Sequence, residues 1–234
     1  MTDMSGIIQQ VAIGALPILV AITFHEVAHG WVADKLGDPT ARALGRITLN
    51  PFAHIDPIGT VLLPLFLYVT TGFVFGWARP VPVNFNNLRR PKADMAIVAG
   101  AGPATNLALA VVCGLVFKGI LAVRPDLLPA AVGIGQAPAL FEGGEPASAV
   151  LIPVLLMLKA SVIVNAILLV INLIPIPPVD GGRIAVGLLP PGPAETLARI
   201  EPYGIFVLIG IIYLDRSIGI LGTAVHVVVW AILG

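Results

Sequence analysis

Two histidines and a glutamate lie close together near the start of the sequence, as His25-Glu26-Val27-Ala28-His29. On an α-helix, residues i and i+4 lie one turn apart on the same face, so both imidazoles can bind one Zn²⁺. Glu26 lies beside that face, where its carboxylate can take a proton from a water that zinc activates. This spacing predicts metal-assisted hydrolysis with zinc as the cofactor.

A hydrolytic zinc site generally has three protein ligands and one open position, so the third ligand must come from elsewhere in the chain. Asp180 is the best candidate, and it lies in residues 172–183, whose sequence is NLIPIPPVDGGR. Prolines interrupt the helix at this point, and the two glycines let the backbone approach other atoms closely. Taken alone, the segment is better explained as a Pro/Gly turn at the membrane surface with a solvated aspartate, and it is the presence of HEVAH that favours Asp180 as a ligand.

The elements that hold these residues are predicted to be membrane helices. Of the 234 residues, 57% are hydrophobic and 11% are charged, whereas soluble domains have roughly 25% charged residues. The mean hydropathy of +0.97 agrees with this interpretation. Thirteen basic residues balance thirteen acidic ones, so no basic excess favours nucleic acid as a partner.

A membrane-spanning helix needs about 20 apolar residues. The apolar stretches predict an all-α polytopic membrane protein with about five to six transmembrane helices, forming a single domain over residues 1–234. Three helices would form the catalytic core, followed by two C-terminal helices. The predicted core helices are residues 7–33, 93–117 and 150–174, the insert is 45–92, and the C-terminal helices lie within 200–233.

The apolar stretch 57–75 contains Pro64 and Gly72, and the basic residues predict its path. A single crossing divides the basic residues outside the spans equally between the two sides. A segment that enters and returns follows the positive-inside rule instead, with nine residues facing three. The two groups are Lys35, Arg42, Arg46, Arg79, Arg89, Arg90, Lys92, Arg183 and Arg199 against Lys118, Arg124 and Arg216. We therefore expect a re-entrant or β-hairpin insert and an N-terminus outside the cytoplasm.

Three motifs together resemble the site-2 protease family (peptidase family M50) of intramembrane zinc metalloproteases. They are HEVAH at 25–29, AGAGPATN at 99–106 and NLIPIPPVDGG at 172–182, and they occur in the family's order. The resemblance is to compact prokaryotic members without a PDZ or CBS domain.

The resemblance implies a function and a set of roles. His25, His29 and Asp180 would bind one zinc ion per chain, and Glu26 would be the catalytic acid and base. The substrates would be transmembrane proteins, cleaved within or near their spans in regulated intramembrane proteolysis. The protein would lie in the lipid bilayer of a prokaryotic plasma membrane, with the active site toward the cytoplasm.

Three further polar residues are candidates for substrate binding. Asn106 and Asn172 would donate to the substrate carbonyl or its oxyanion, although a hydrogen bond between helices is the usual role of such an amide. His54, in the insert, would bind metal or gate substrate, or else lie in an ordinary loop. Residues 45–49 and 81–85 are predicted to pair with an extended substrate by strand addition.

Two alternative functions fit part of the sequence. A polytopic transporter would explain the Pro/Gly-broken apolar segments, but it does not explain HEVAH. A catalytically inactive relative that binds membrane helices would not need Glu26. The sequence does not predict an oligomeric state.

Overall fold

A computed structural model describes residues 4–71, 76–132 and 146–234 of the chain. Within these ranges the regular structure is helical and contains no β-strand. The α-helices are α1 (Met4–Leu36), α2 (Thr40–Ala43), α3 (Leu63–Thr71), α4 (Pro91–Val123), α5 (Leu128–Val132), α6 (Pro146–Asn172), α7 (Asp180–Leu188), α8 (Pro191–Ala198), α9 (Gly204–Ile218) and α10 (Ile220–Leu233).

Four stretches of the described residues are long and apolar enough to cross a membrane. They are Ala12–Leu36, Pro91–Val123, Ala147–Asn172 and Pro191–Ile218. Shorter apolar helices occupy Pro57–Leu67 and Ile220–Leu233. The predicted all-α polytopic membrane architecture is therefore confirmed, although a 3₁₀ turn at Glu201–Tyr203 divides the fourth stretch into α8 and α9.

The chain forms two compact units. Unit 1 contains Met1–Ala21, Asn106–Ile171 and Ile212–Gly234, and unit 2 contains Ile22–Thr105 and Asn172–Ile211. The core of unit 1 consists of buried side chains from α4, α5, α6 and the turn that precedes α5: Phe117, Leu127, Ala130, Ala131, Ile152, Leu155 and Leu156. A smaller core in unit 2 consists of Ala33, Leu88 and Val98. Unit 2 contains the insert and all the residues that were predicted to bind zinc.

The two ends of the apolar segment of the insert lie next to each other. It begins with a six-residue π-helix, Pro57–Leu62, and continues as the nine-residue α3. These lengths give at most about 22 Å of helix, which is short of the roughly 30 Å hydrocarbon layer. The Trp77 amide donates to the Gly59 carbonyl at 3.0 Å, and Thr60 Oγ1 donates to the Trp77 carbonyl at 2.8 Å. The two ends of the excursion thus lie side by side, an arrangement that a single crossing does not allow.

The β-hairpin form of the insert is absent from its described residues. Two carboxylates take amide donors of residues 81–85 that a substrate strand would need. Val81 N donates to Glu26 Oε2 at 2.7 Å, and Asn84 N donates to Asp38 Oδ2 at 2.7 Å. Pro82 has no amide hydrogen, so the predicted strand addition at 81–85 is not supported.

Asp38 attaches the insert to the end of α1. Its side chain is fully buried and accepts hydrogen bonds from the Thr40 amide and hydroxyl, the Asn84 amide and the Asn87 side chain. Burial raises the pKa of Asp38, but the hydrogen bonds from Thr40, Asn87 and Asn84 outweigh it, and the net pKa lies below the usual value. The ionised carboxylate is therefore the form that stabilises this junction.

We expect Asp38→Asn to lower the free energy of unfolding by about 3 kcal/mol at pH 7, because buried donors lose a charged acceptor. Since the folded-state pKa is depressed, the carboxylate's contribution is present above about pH 4 and disappears as the pH falls through the folded-state value. Thermal unfolding in detergent, measured from pH 3 to 8, checks this. The control Asp126→Asn changes a 57% exposed side chain and should leave the unfolding temperature close to that of the wild type, because exposed ion pairs contribute little to stability.

Candidate metal centre

His25, His29 and Asp180 meet in unit 2. Asp180 Oδ2 lies 3.2 Å from His25 Nε2 and 3.3 Å from His29 Nε2. The two Nε2 atoms are 3.1 Å apart, and the imidazole rings meet edge to face at 84°. Their side chains are at most 12% exposed. Among the residues that the structure describes, no other set of three His, Cys, Asp or Glu side chains converges in this way.

The orientation of His29 is fixed by helix α4. His29 Nδ1 lies 2.7 Å from the carbonyl oxygen of Val98. Because a carbonyl only accepts, Nδ1 carries the hydrogen and donates it. In a neutral imidazole the other nitrogen then has a free lone pair. A metal-binding histidine usually donates its second ring nitrogen in this manner, so His29 Nε2 is prepared to bind a cation.

Gly102 makes room for both imidazoles. A Cβ atom at this position of α4 would lie 2.5 Å from His25 Cε1 and 2.5 Å from His29 Nε2. Both distances are shorter than real Cβ contacts, so α4 can pack against the histidines only with a hydrogen as the side chain. The glycine of the AGAGPATN motif at 102 therefore forms one wall of the site.

The loop after α6 carries Asp180 to the histidines. Helix α6 ends at Asn172, and α7 begins at Asp180, where a carboxylate is favoured by the helix dipole. Gly181 lies against the carbonyl groups of Leu173 and Ile174, so that a Cβ would be 2.5 Å from each carbonyl oxygen. The first turn of α7 thus lies against the two residues that follow α6, and the close approach predicted from the two glycines is observed.

The residues present fit a zinc ion. Asp180 Oδ2 is buried and has no hydrogen-bond partner of acceptable geometry, although it points at the two histidines. Such an unpartnered buried oxygen is unfavourable unless a cation satisfies it. Two imidazole nitrogens and one carboxylate oxygen are a known ligand set of catalytic zinc. Together with the tautomer of His29, they make a site for one divalent cation.

Comparison with known proteins identifies the family of this chain. The sequence model of Peptidase family M50 matches residues 13–211, a range that includes all three candidate ligands. The chain belongs to peptidase family M50. Three similar proteins carry provisional names as zinc metalloproteases, so the chain is a member of a zinc metalloprotease family.

The first relative, YwhC of Bacillus subtilis (strain 168), is 37% identical over 194 residues, which are 83% of this chain and 77% of that protein. Rip2 of Mycolicibacterium smegmatis is 27% identical over 82% of this chain and 62% of its own length. Rip2 of Mycobacterium tuberculosis is 28% identical over 91% of this chain and 70% of its own length. No solved structure matches the chain significantly.

Glu26, between the two histidines in the sequence, is hydrogen-bonded to the insert. Glu26 Oε2 accepts a hydrogen bond of 2.7 Å from the Val81 amide. Glu26 is half-buried, and its position between the two histidines on α1 places its carboxylate next to the ligand set.

His54, the candidate for metal or substrate binding in the insert, lies outside the ligand cluster. It is 2% exposed, and its Nε2 donates to the Thr48 carbonyl at 2.8 Å. Its Nδ1 is buried without a hydrogen-bond partner. The neighbouring Asp56 caps the helix that follows, by accepting from the Ile58 and Gly59 amides. Both residues therefore have contacts that a structural role explains.

The two asparagines lie in different units. Asn106 is fully buried in unit 1, where its side-chain nitrogen donates to Asn165 Oδ1 at 2.8 Å. This is a hydrogen bond between α4 and α6, the alternative that was set against substrate binding. Asn172 belongs to unit 2 and is half-buried at the end of α6. Neither is part of the converging ligand set.

Sequence reasoning missed the residues that act through backbone groups. The Val98 carbonyl and the Val81 amide have no side-chain signal that a motif could reveal. Gly102 had one, because it lies in a motif that resembled the family's, but its contact with both histidines depends on how α4 packs. From the sequence, Arg46 was only one of the positive charges, although its guanidinium donates to the carbonyls of Arg79 and Pro80 in the insert.

Proposed function

We propose that this M50 member is an intramembrane zinc metalloprotease with one zinc per chain. The observation that carries the proposal is the convergence of His25, His29 and Asp180 on an unpartnered buried carboxylate oxygen, beside Glu26. A transporter would not need this ligand set together with a glutamate on the same helical turn.

The chain's own residues have distinct roles in the proposed reaction. When bound, zinc lowers the pKa of water to about 7 and polarises the scissile carbonyl. Glu26 accepts the proton of the attacking water and then delivers it to the amine of the leaving peptide. His25, His29 and Asp180 hold the metal, and Val98 holds His29 in the required tautomer.

The location of the site supports cleavage within or near a transmembrane segment. From His29 to Lys35, α1 rises by about 9 Å, so the site lies inside the hydrocarbon boundary on the basic side of the chain. A substrate helix must unwind locally there, because its carbonyls are already bonded within the helix. The proposed setting is the plasma membrane of a prokaryote, with the site toward the cytoplasm. The positive-inside distribution supports this orientation, and the bacterial relatives support the prokaryotic setting.

The test uses protein purified in detergent and reconstituted with single-span model peptides that contain glycine or proline in their spans. We expect about one zinc per chain and peptide cleavage by the wild type. We expect Glu26→Gln to keep its zinc and to lose at least about 100-fold in cleavage rate, the size of a general-base contribution. Equal cleavage by wild type and Glu26→Gln, or no zinc after reconstitution, contradicts the proposal.

A further inference from the structure

The insert contacts Glu26, beside the candidate metal centre, through the backbone amide of Val81. Residues 76–84 run without helical hydrogen bonding, and the Val81 amide donates to Glu26 Oε2 at 2.7 Å. This short hydrogen bond to a carboxylate is of the charge-assisted kind, which is roughly twice as strong as a neutral one. It leaves the second carboxylate oxygen of Glu26 as the one to take a proton.

Arg46 fixes the backbone that presents this amide. Its guanidinium donates to the Arg79 carbonyl at 2.9 Å and to the Pro80 carbonyl at 3.3 Å, the two carbonyls that precede Val81. It also donates to the carbonyl of Ala53, in the part of the insert that precedes the apolar segment. The planar guanidinium has five donors in a rigid arrangement. One side chain therefore holds together the parts of the insert before and after its apolar segment.

A second contact fixes the same backbone independently. The Arg79 amide donates to the His54 carbonyl at 2.9 Å. Three successive residues are therefore held by named partners: Arg79 by His54 and Arg46, Pro80 by Arg46, and Val81 by Glu26.

The side chain of Val81 sets its position along α1. Val81 is buried, and a Cβ at Gly30 would lie 2.8 Å from Val81 Cγ1. Gly30 is four residues after Glu26, so it lies one turn further along the same face of α1. The Val81 side chain packs against Gly30, where there is no room for a Cβ atom. This contact places the Val81 amide next to Glu26.

We propose that Arg46 and the Val81 amide are positioning groups for Glu26, which hold one carboxylate oxygen so that the other faces the reacting water. This inference rests on the proposed function. The alternative is that the Val81 amide blocks Glu26 and must leave before the reaction, and the two ideas predict opposite effects of removing it.

The hydrogen bond itself is tested without zinc or activity, by hydrogen–deuterium exchange of the peptide that contains Val81. Glu26→Gln keeps an acceptor oxygen, whereas Glu26→Ala removes it. We expect exchange at the Val81 amide to be at least about tenfold faster in Glu26→Ala than in wild type, and to stay close to wild type in Glu26→Gln. Equal exchange in wild type and Glu26→Ala overturns the inference.

The positioning role is tested by kinetics on the single-span model peptides. Val81→Ala keeps the amide, and Val81→Pro removes it. We expect kcat to fall at least about tenfold further in Val81→Pro than in Val81→Ala, with KM and zinc content unchanged. Arg46→Ala should likewise lower kcat, while Arg42→Ala, which removes a 67% exposed guanidinium, serves as the matched control with unchanged activity.

The outcomes distinguish failure of the positioning role from failure of the proposed protease mechanism. Higher activity in Val81→Pro or Arg46→Ala overturns positioning and supports a blocking role for the insert. Wild-type kcat in both variants also overturns positioning, provided that Glu26→Gln is inactive. If Glu26→Gln cleaves as fast as wild type, the proposed protease mechanism itself fails, whereas the exchange experiment still decides whether the hydrogen bond exists.

Discussion

We expect Gly102→Ala to abolish zinc binding and peptide cleavage together. The added methyl group would lie 2.5 Å from His25 Cε1 and from His29 Nε2, the nitrogen that faces the metal. Two rings one turn apart on the same helix face cannot both move away from α4 without leaving Asp180. The substitution therefore acts by displacing the two histidines, and cleavage is lost because zinc is lost.

Gly100→Ala is the matched control on the same helix. A Cβ at Gly100 would meet no atom within 4 Å, and alanine favours a helix over glycine by about 1 kcal/mol. We expect this variant to keep its zinc and activity and to unfold at the same temperature or slightly higher. Metal analysis of the purified variants, with thermal unfolding, checks both statements. One zinc per chain in Gly102→Ala would show that α4 is further from the histidines than described.

The convergence of His25, His29 and Asp180 was predictable because its signals are side-chain types and their spacing. The i, i+4 separation places His25 and His29 on one face of any helix, and the apolar surroundings made the assignment to a membrane helix straightforward. Asp180 was predictable for a different reason. The proline and glycine pattern around it indicates a chain reversal with close backbone contact, and Gly181 makes that contact with the end of α6.

The path of the insert was only partly predictable. The distribution of basic residues favoured a segment that returns, and the hydrogen bond between Trp77 and Gly59 agrees with that path. The choice between hairpin and helix was open, because an apolar run of this length fits either. Pairing with substrate through residues 81–85 was expected on their extended character alone. Which acceptors take the amides of Val81 and Asn84 depends on tertiary packing, which no local pattern reports.

We expect Asp180→Ala to reduce zinc affinity by more than about 100-fold, a larger loss than removal of an outer hydrogen-bond partner causes. The variant leaves two imidazoles on adjacent turns and no carboxylate to balance the charge of the cation. Cleavage should disappear with the metal. The apo protein is titrated with zinc in the presence of a chelator of known affinity. Metal analysis of the protein then gives the zinc affinity of each variant.

His54→Ala provides the control, because His54 lies in the insert, outside the ligand cluster, and has a buried nitrogen without a hydrogen-bond partner. If Asp180 is the third ligand, His54→Ala keeps one zinc per chain at wild-type affinity, although it loses the hydrogen bond to the Thr48 carbonyl. The opposite pattern, with zinc kept in Asp180→Ala and lost in His54→Ala, would mean that the insert moves toward His25 and His29 when metal binds. This pair of variants therefore also tests whether the insert keeps its position when metal binds.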